Sequence, residues 1–425
     1  REERPSDGRS GGVMASASGS GSAHPHCPVT VCDPTKNQGD SQLSAGFVTY
    51  KLKTETTSGF GSVAAGKYKV HRRFNDFIWL DSSMMMEVVG TIMPPLPGKR
   101  GLATRGAGRF DADFVEERRE QLQTYLARLM ERAELVSLPV LSVFLCADDG
   151  AMAAYKANHP IANVGSKSYF VNLSAFSPGS IGDGPKTAAD LKLDEVEAHV
   201  VLLEERLQVI SRHALEVSRR NKDVSDQLFE SGLAFTLLGQ ADPSRCSDAL
   251  RAMGHAADQL SMDMKAQIRC DRDEFERPIA DYLLTLGSVK QALEQRSQCL
   301  HAKTQAEADK QARETALNKG EAAAGTSLGT LGALRAASEA ADQRADAARE
   351  ALDAVTTRLC GEVDRFKAEK AADMTAVCKR YAEYQLTHAA ATEKRWRSLL
   401  PQLTVALQRL HGKPGGTQAG GGAAR

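Results

Sequence analysis

The sequence predicts a multidomain protein, with an α+β domain in front and an all-α module of three long antiparallel helices behind it. Three observations predict this. Short alternating β-favouring runs and most aromatic residues fall before about residue 180, apolar residues stepping by three and four dominate from Leu193 onward, and Pro and Gly collect between the two regions. A length of 425 residues accommodates two or three domains.

Residues 1–27 are Gly/Ser-rich, too poor in apolar surface to order themselves, and read as a disordered tail. From Val29 the runs VTVC, GFVTYKLKTET and GKYKVHRRF, separated by Gly, Asp and Ser, predict three antiparallel strands. FNDFIWLDSSMMMEV follows as a helix and MPPLPGKRG as a proline-rich loop. DADFVEERREQLQTYLARLMERAEL is a second helix, with Phe114, Leu122, Leu126 and Leu129 on one face. A short helix begun at Leu138 closes a domain spanning 28–148. Residues 149–190 read as a linker. Its 167–177 segment, with Lys167, Tyr169, Phe170, Val171, Leu173 and Phe176, is either a short amphipathic helix that enters a bilayer or a patch packed on a neighbouring domain. Pro178 would cut such a helix short and favours the second reading.

In the back half, Leu193, Val196, Val200, Leu203, Leu207, Ile210, Ala214, Val217, Asn221, Val224 and Leu228 form a heptad seam. Helices are predicted at about 191–239, 244–318 and 334–410, composing a module over 191–411, with a disordered tail at 412–425. A helix of some 70 residues is on the order of 100 Å long, so these are rods. Pro278 falls inside the second and should kink it. Any apolar stripe left over in the antiparallel trio calls for a second copy, so dimerisation is expected.

Composition excludes several function classes. Lys+Arg and Asp+Glu are both 54, so there is no net field and no basic domain for nucleic acid. The 8 cysteines contain no C-x-x-C pair, against a disulfide framework or zinc ribbon. His24, His26, Cys27 and Cys32 are zinc-binding residue types, but they sit at the border of the Ser/Gly tail, and no metal or cofactor is predicted. No apolar run approaches the ~20 residues of a membrane span, and Arg1–Ser22 lacks a signal-peptide core. The Gly59–Ala64 stretch imitates a phosphate-binding glycine loop only loosely, and no G-x-S-x-G elbow occurs, so no catalysis is expected.

The chemistry concentrates in VHRRFNDF, Val70–Phe77, where a strand gives way to a helix. Guanidinium groups offer planar paired donors suited to phosphate, and an aromatic face suits a sugar-like ring. In its order of strands, RRF motif, Pro94–Lys99 loop and FVEERR helix, the front domain resembles the PX family. The resemblance implies that Arg73 holds the 3-phosphate of phosphatidylinositol 3-phosphate and that Phe74 lies beneath the inositol ring. It further implies that Lys99 meets the 1-phosphate and that Arg118 grips the 4- and 5-hydroxyls. Arg72 is read as structural or paired to an acidic neighbour, and Phe77 as core. Arg100, Arg105 and Arg109 extend a basic rim that is either membrane-facing or merely solvated.

The back half resembles the BAR domain of sorting nexins, in particular the retromer-associated type of plants and green algae. LAFTLLGQ (Leu233–Gln240), FERPIADYLLTLGSVKQAL (Phe275–Leu293), EVDRFKAEK (Glu362–Lys370) and KRWRSLLPQL (Lys394–Leu403) carry the resemblance. It implies a homodimer, or a heterodimer with another sorting nexin, that binds phosphoinositide and anionic membrane on the cytosolic face of endosomes. There it would sense or induce curvature in retrograde sorting, with the retromer cargo-recognition trimer as a candidate partner. Lys303, Lys310, Arg313 and Lys319 are the candidate membrane-facing cations of the helices, although Glu307, Asp309 and Glu314 lie among them. The alternative is a coiled-coil adaptor whose front domain binds protein.

Overall fold

The computed structural model describes residues 27–37, 46–57, 59–61, 63–98, 111–160, 186–242, 246–323 and 327–411. The chain divides into two compact units, Arg1–Leu80 with Gly106–Pro160, and Asp81–Arg105 with Ile161–Arg425. Among the described residues no helix is long and apolar enough to cross a membrane, and no group of His, Cys, Asp or Glu could hold a metal ion.

The first unit is built on a three-stranded antiparallel sheet ordered β1–β2–β3, with β1 at Val29–Asn37, β2 at Phe47–Thr56 and β3 at Gly66–Arg73. Alternation along the strands puts Val31, Leu52 and Val70 in the core. A bulge between Cys32 and Thr35, with Asp33 at φ 47°, bends the edge strand. That edge does not stay open. From helix α2, Ala112–Met130, Gln123 accepts from the Val31 N–H at 2.6 Å and donates to the Val29 carbonyl at 3.0 Å, while Arg119 donates to the Val31 carbonyl at 3.0 Å. Leu122, Leu126 and Leu129 of α2 are fully buried, as the spacing predicts, whereas Phe114 on the same face is only half-buried. Helices α3 (Ala133–Val136) and α4 (Pro139–Cys146) close the core, where the Phe77 and Phe144 rings meet edge to face at 4.9 Å.

Residues 149–158, expected in the linker, instead form helix α5, Asp149–Asn158. Asp148 caps it by accepting from the Ala151 N–H, and three contacts fix it to the unit. Asp149 meets Arg72 at 3.1 Å, Lys156 meets Asp76 at 2.7 Å, and the Tyr155 ring stands edge-on to Trp79. The Gly59–Ala64 stretch is a tight turn in which Phe60 and Val63 exchange both backbone hydrogen bonds, so those amides are not available to a phosphate. The 167–177 segment and both predicted tails except Cys27 lie outside the described residues.

In the second unit, α6 (Ala188–Ala241) runs antiparallel to α7 (Ser247–Asp271) and α8 (Arg277–Ala322), and α9 (Leu328–His411) runs antiparallel to both. The order of cross-helix contacts shows it: Asp190–Arg296, Glu204–Lys290 and Ser225–Ser261 on one side, Lys310–Asp342, Tyr282–Asp373 and Asp263–Arg395 on the other. The predicted second helix runs through without a break but changes its winding part-way along. A π-helical turn, Arg272–Glu276, separates α7 from α8 and stands just before Pro278, which lacks the N–H a continuous ladder needs.

The heptad seam of α6 is buried only in its first half. Leu193, Val196, Val200 and Leu207 join Ile279, Leu286, Val289, Leu359, Val363 and Phe366 in one core. Beyond it Ile210, Val217 and Val224 are exposed, because α6 now meets α7 through small residues. Ser225, Gly232 and Gly239, seven apart, meet Ser261, Gly254 and Ser247 in turn, and the backbones approach so closely that a Cβ on Gly254 would lie 2.8 Å from the Gly232 carbonyl oxygen.

The segment Asp81–Arg105 groups with these helices, although the sequence assigned it to the front domain. Pro94, Leu96 and Pro97 are buried, which removes them as a free proline-rich peptide ligand.

Candidate functional site

The strand-to-helix junction after β3 presents the RRF motif, with alternation along the strand sending its two arginines opposite ways. Arg72 is 1 % exposed and donates to the carbonyls of Phe144, Ala147 and His71 and to Asp149. Burial pushes its pKa down and the Asp149 charge opposes the shift, so Arg72 is a core strut. Arg73 faces solvent.

Helix α1, Phe74–Glu87, starts at the next residue, and its third residue, Asp76, reaches back to accept from the Arg73 N–H at 2.8 Å. The same carboxylate lies 3.6 Å from the Arg73 guanidinium and 2.7 Å from Lys156. Asp76 therefore holds Arg73 while Lys156 offsets its charge, which leaves the local balance positive.

Arg118 enters from α2. Its guanidinium carbon lies 4.1 Å from the centre of the Phe74 ring and 4.5 Å from that of Phe114, one helical turn before it. Two aromatic rings against the planar group leave its edge as the donor surface. Buried Tyr50 is near enough that the Arg118 charge opposes the upward shift that burial imposes on its phenol.

Arg73, Phe74 and Arg118, distant in sequence in the last case, thus meet at one edge of the first unit. Lys99, Arg100 and Arg105 lie outside the described residues. Asp76, Lys156 and Phe114 were not singled out as site residues. The i+3 spacing from Arg73 marks Asp76 and the i−4 spacing from Arg118 marks Phe114, but Lys156 sits in the supposed linker and carried no signal.

The candidate cations of the long helices are less available than their sequence suggests. Lys303 lies 3.6 Å from Glu307, Lys310 lies 2.8 Å from Asp342, and Arg313 lies 3.2 Å from Asp309. Asp342 raises the Lys310 pKa by hydrogen bond and charge. Lys319 is exposed near the end of α8.

A family model described as Vps5 C terminal like matches residues 188–402, and the PX domain model matches residues 63–148. Sorting nexin 1 of Arabidopsis thaliana is 25% identical over 398 residues, covering 90% of this chain and 94% of the relative. Sorting nexin-2 of Macaca fascicularis is 24% identical, covering 88% of this chain and 72% of its own. Among solved structures, the cryo-EM structure of the SNX-BAR Mvp1 tetramer superposes with a TM-score of 0.59 at 16% identity, covering 88% of this chain and 99% of that one, which shows the shared fold. With both domain types matched in order, and the Vps5-type model alone spanning half of the residues, the chain belongs to the PX-BAR sorting nexins, a family of membrane-associated trafficking proteins.

Proposed function

We propose that this chain binds phosphatidylinositol 3-phosphate on the cytosolic face of endosomes and, as a dimer, senses or induces curvature there in retromer-type retrograde sorting. One observation carries the lipid reading: exposed Arg73, held by Asp76, stands beside a guanidinium stacked on Phe74, so a monoester phosphate and vicinal ring hydroxyls find donors around one aromatic. Lys99 is the proposed fourth ligand. With Arg73 and Lys156 against Asp76 the edge keeps a net positive charge, which suits an anionic headgroup better than a neutral peptide.

The dimer reading rests on apolar side chains that α6 leaves exposed. Ile210, Val217 and Val224 lie on one face of the helix and Phe229, Leu233 and Leu237 on another, all exposed in the single chain, while the contact with α7 uses small residues. So much exposed apolar surface on one rod calls for a second copy. Mvp1, whose SNX-BAR fold is similar, is a tetramer, which supports self-association here.

Sedimentation with liposomes across a phosphoinositide panel tests the lipid reading. Arg73→Ala should abolish binding that depends on phosphatidylinositol 3-phosphate, and electron microscopy of the parent samples should show tubules at high coverage. Equal sedimentation of variant and parent supports the protein-binding adaptor instead.

A further inference from the structure

Asp76 serves two cations that come from different elements of the first unit. Its Oδ1 lies 3.6 Å from Arg73 Nε, at the end of β3, and 2.7 Å from Lys156 Nζ, in the last turn of α5. One carboxylate against two cations leaves one positive charge over.

That surplus decides what the corner attracts. Arg73 and Asp76 alone make a neutral pair, beside which a monoester phosphate, with close to two negative charges at neutral pH, gains little. Lys156 turns the same corner positive. Asp76 does not exhaust the donors either, because a guanidinium has several N–H groups and an ammonium three. Two cations that already share one carboxylate oxygen are close enough for a phosphate, with its three terminal oxygens, to bridge.

Helix α5 is held without this lysine. Met152 is buried, Asp149 meets Arg72 at 3.1 Å, and the Tyr155 ring stands edge-on to Trp79. The Lys156 ammonium lies 5.0 Å from the centre of the Trp79 ring, which fixes the direction of a long and otherwise flexible stem. Its side chain is 28 % exposed, so a ligand can reach the charge from solvent.

We propose that Lys156 is a further phosphoinositide ligand, the second cation on the monoester phosphate that Arg73 takes. The inference deepens the headgroup reading above and rests on it. Phosphate oxygens bridge Arg73 and Lys156, while Asp76 Oδ2 keeps its hydrogen bond from the Arg73 N–H and the strand-to-helix junction stays in place.

The test titrates the full chain calorimetrically with dibutanoyl phosphatidylinositol 3-phosphate, a lipid short enough to stay in solution. Lys156→Met keeps the stem over Trp79 but removes the charge, and should bind about tenfold more weakly, the size of one charge-assisted hydrogen bond. Lys156→Arg restores the charge and should come within about threefold of the parent. Hydrogen exchange across α5 should match the parent in both variants. Inorganic phosphate lacks the ring that Phe74 and Arg118 would meet, and should bind the parent far more weakly than the lipid does. Parental affinity in Lys156→Met overturns the inference. So does a loss that arginine does not rescue, or one that comes with fast exchange throughout α5, since either makes Lys156 a tether of the helix. A parent that binds no lipid, or binds inorganic phosphate as tightly, overturns the headgroup reading and the inference with it.

Discussion

The guanidinium of Arg118 lies over the ring of Phe74 at 4.1 Å, with Phe114 contributing a second ring at 4.5 Å. Phe114 thus backs the guanidinium of the proposed site although it need never touch a ligand. Phe114→Ala should weaken binding of phosphatidylinositol 3-phosphate liposomes about two- to fivefold, the equivalent of a lost cation–π contact of about 0.5–1 kcal/mol. Arg118→Ala should weaken it further, because donors are lost as well as orientation. Titration of both variants against the same liposomes checks the order, and a Phe114 variant weaker than the Arg118 variant contradicts it.

Glycines in the long helices should divide by what surrounds them. A Cβ on Gly254 would meet Thr236 Oγ1 at 2.2 Å and the Gly232 carbonyl at 2.8 Å, so Gly254→Ala should destabilise the chain by about 1–3 kcal/mol through overpacking. Gly287 and Gly361 lie inside α8 and α9 with nothing within 4 Å, and alanine there should stabilise by up to about 1 kcal/mol. Denaturant melts of the three variants decide; a neutral Gly254→Ala would mean that the α6–α7 approach is looser than described.

Val224 and Leu237 are exposed on the single chain, so charging them carries little cost to the folded protomer. Val224→Glu with Leu237→Glu should convert a dimer to a monomer in sedimentation velocity while leaving far-ultraviolet circular dichroism unchanged. A parent that sediments as a monomer at micromolar concentration refutes the dimer outright.

Near the π-helical turn, Asp271 is buried and its carboxylate accepts from Gln385 at 2.7 Å, with Gln385 in turn accepting from Gln267 at 3.0 Å. Burial raises its pKa, with the charge of Glu276 adding to the shift, while Gln385 and His388 oppose it. For an acid whose folded pKa exceeds its unfolded value, the charged form penalises folding above the folded pKa, and the penalty disappears as pH falls toward the unfolded value. Asp271→Asn should therefore raise stability at pH 7 and remove that local pH dependence. Melts at pH 4.5 and 7 are the measurement, and a destabilised variant at pH 7 counts against the assignment.

Period and punctuation made most of the architecture readable in advance. The two-step alternation of VTVC and GKYKV, and the three-four stepping from Leu193, each arise from which faces of an element are buried, and that information is local. What escaped was set by contacts between distant residues. Helix α5, although its alanines favour a helix, reads together with the Pro- and Gly-rich stretch that follows it, and it is held by Arg72, Asp76 and Trp79, some 70 to 80 residues upstream. Val217 and Val224 fit the seam, yet they are exposed because Gly232 and Gly254 draw the other side of α6 inward. At the candidate site the RRF motif announced Arg73 and Phe74, and the helix announced Arg118. Glu307 and Asp309 beside Lys303 and Arg313 are legible in the sequence, whereas the α9 partners Asp342, Arg344 and Arg349, which pair with Lys310, Asp309 and Glu307, are not.

Those cross-helix ion pairs matter for the far end of the rods. There the buried residues of α9 are Ser338, Ala341 and Ala345, which offer little apolar area, and the match between α8 and α9 is marked instead by Glu321–Arg335, Lys310–Asp342, Asp309–Arg344 and Glu307–Arg349. Exposed pairs of this kind weaken as ionic strength rises, whereas the leucine- and valine-filled middle does not. The rod therefore grades from a rigid centre to an end whose stiffness follows the surrounding electrolyte, a spring with one tunable coil.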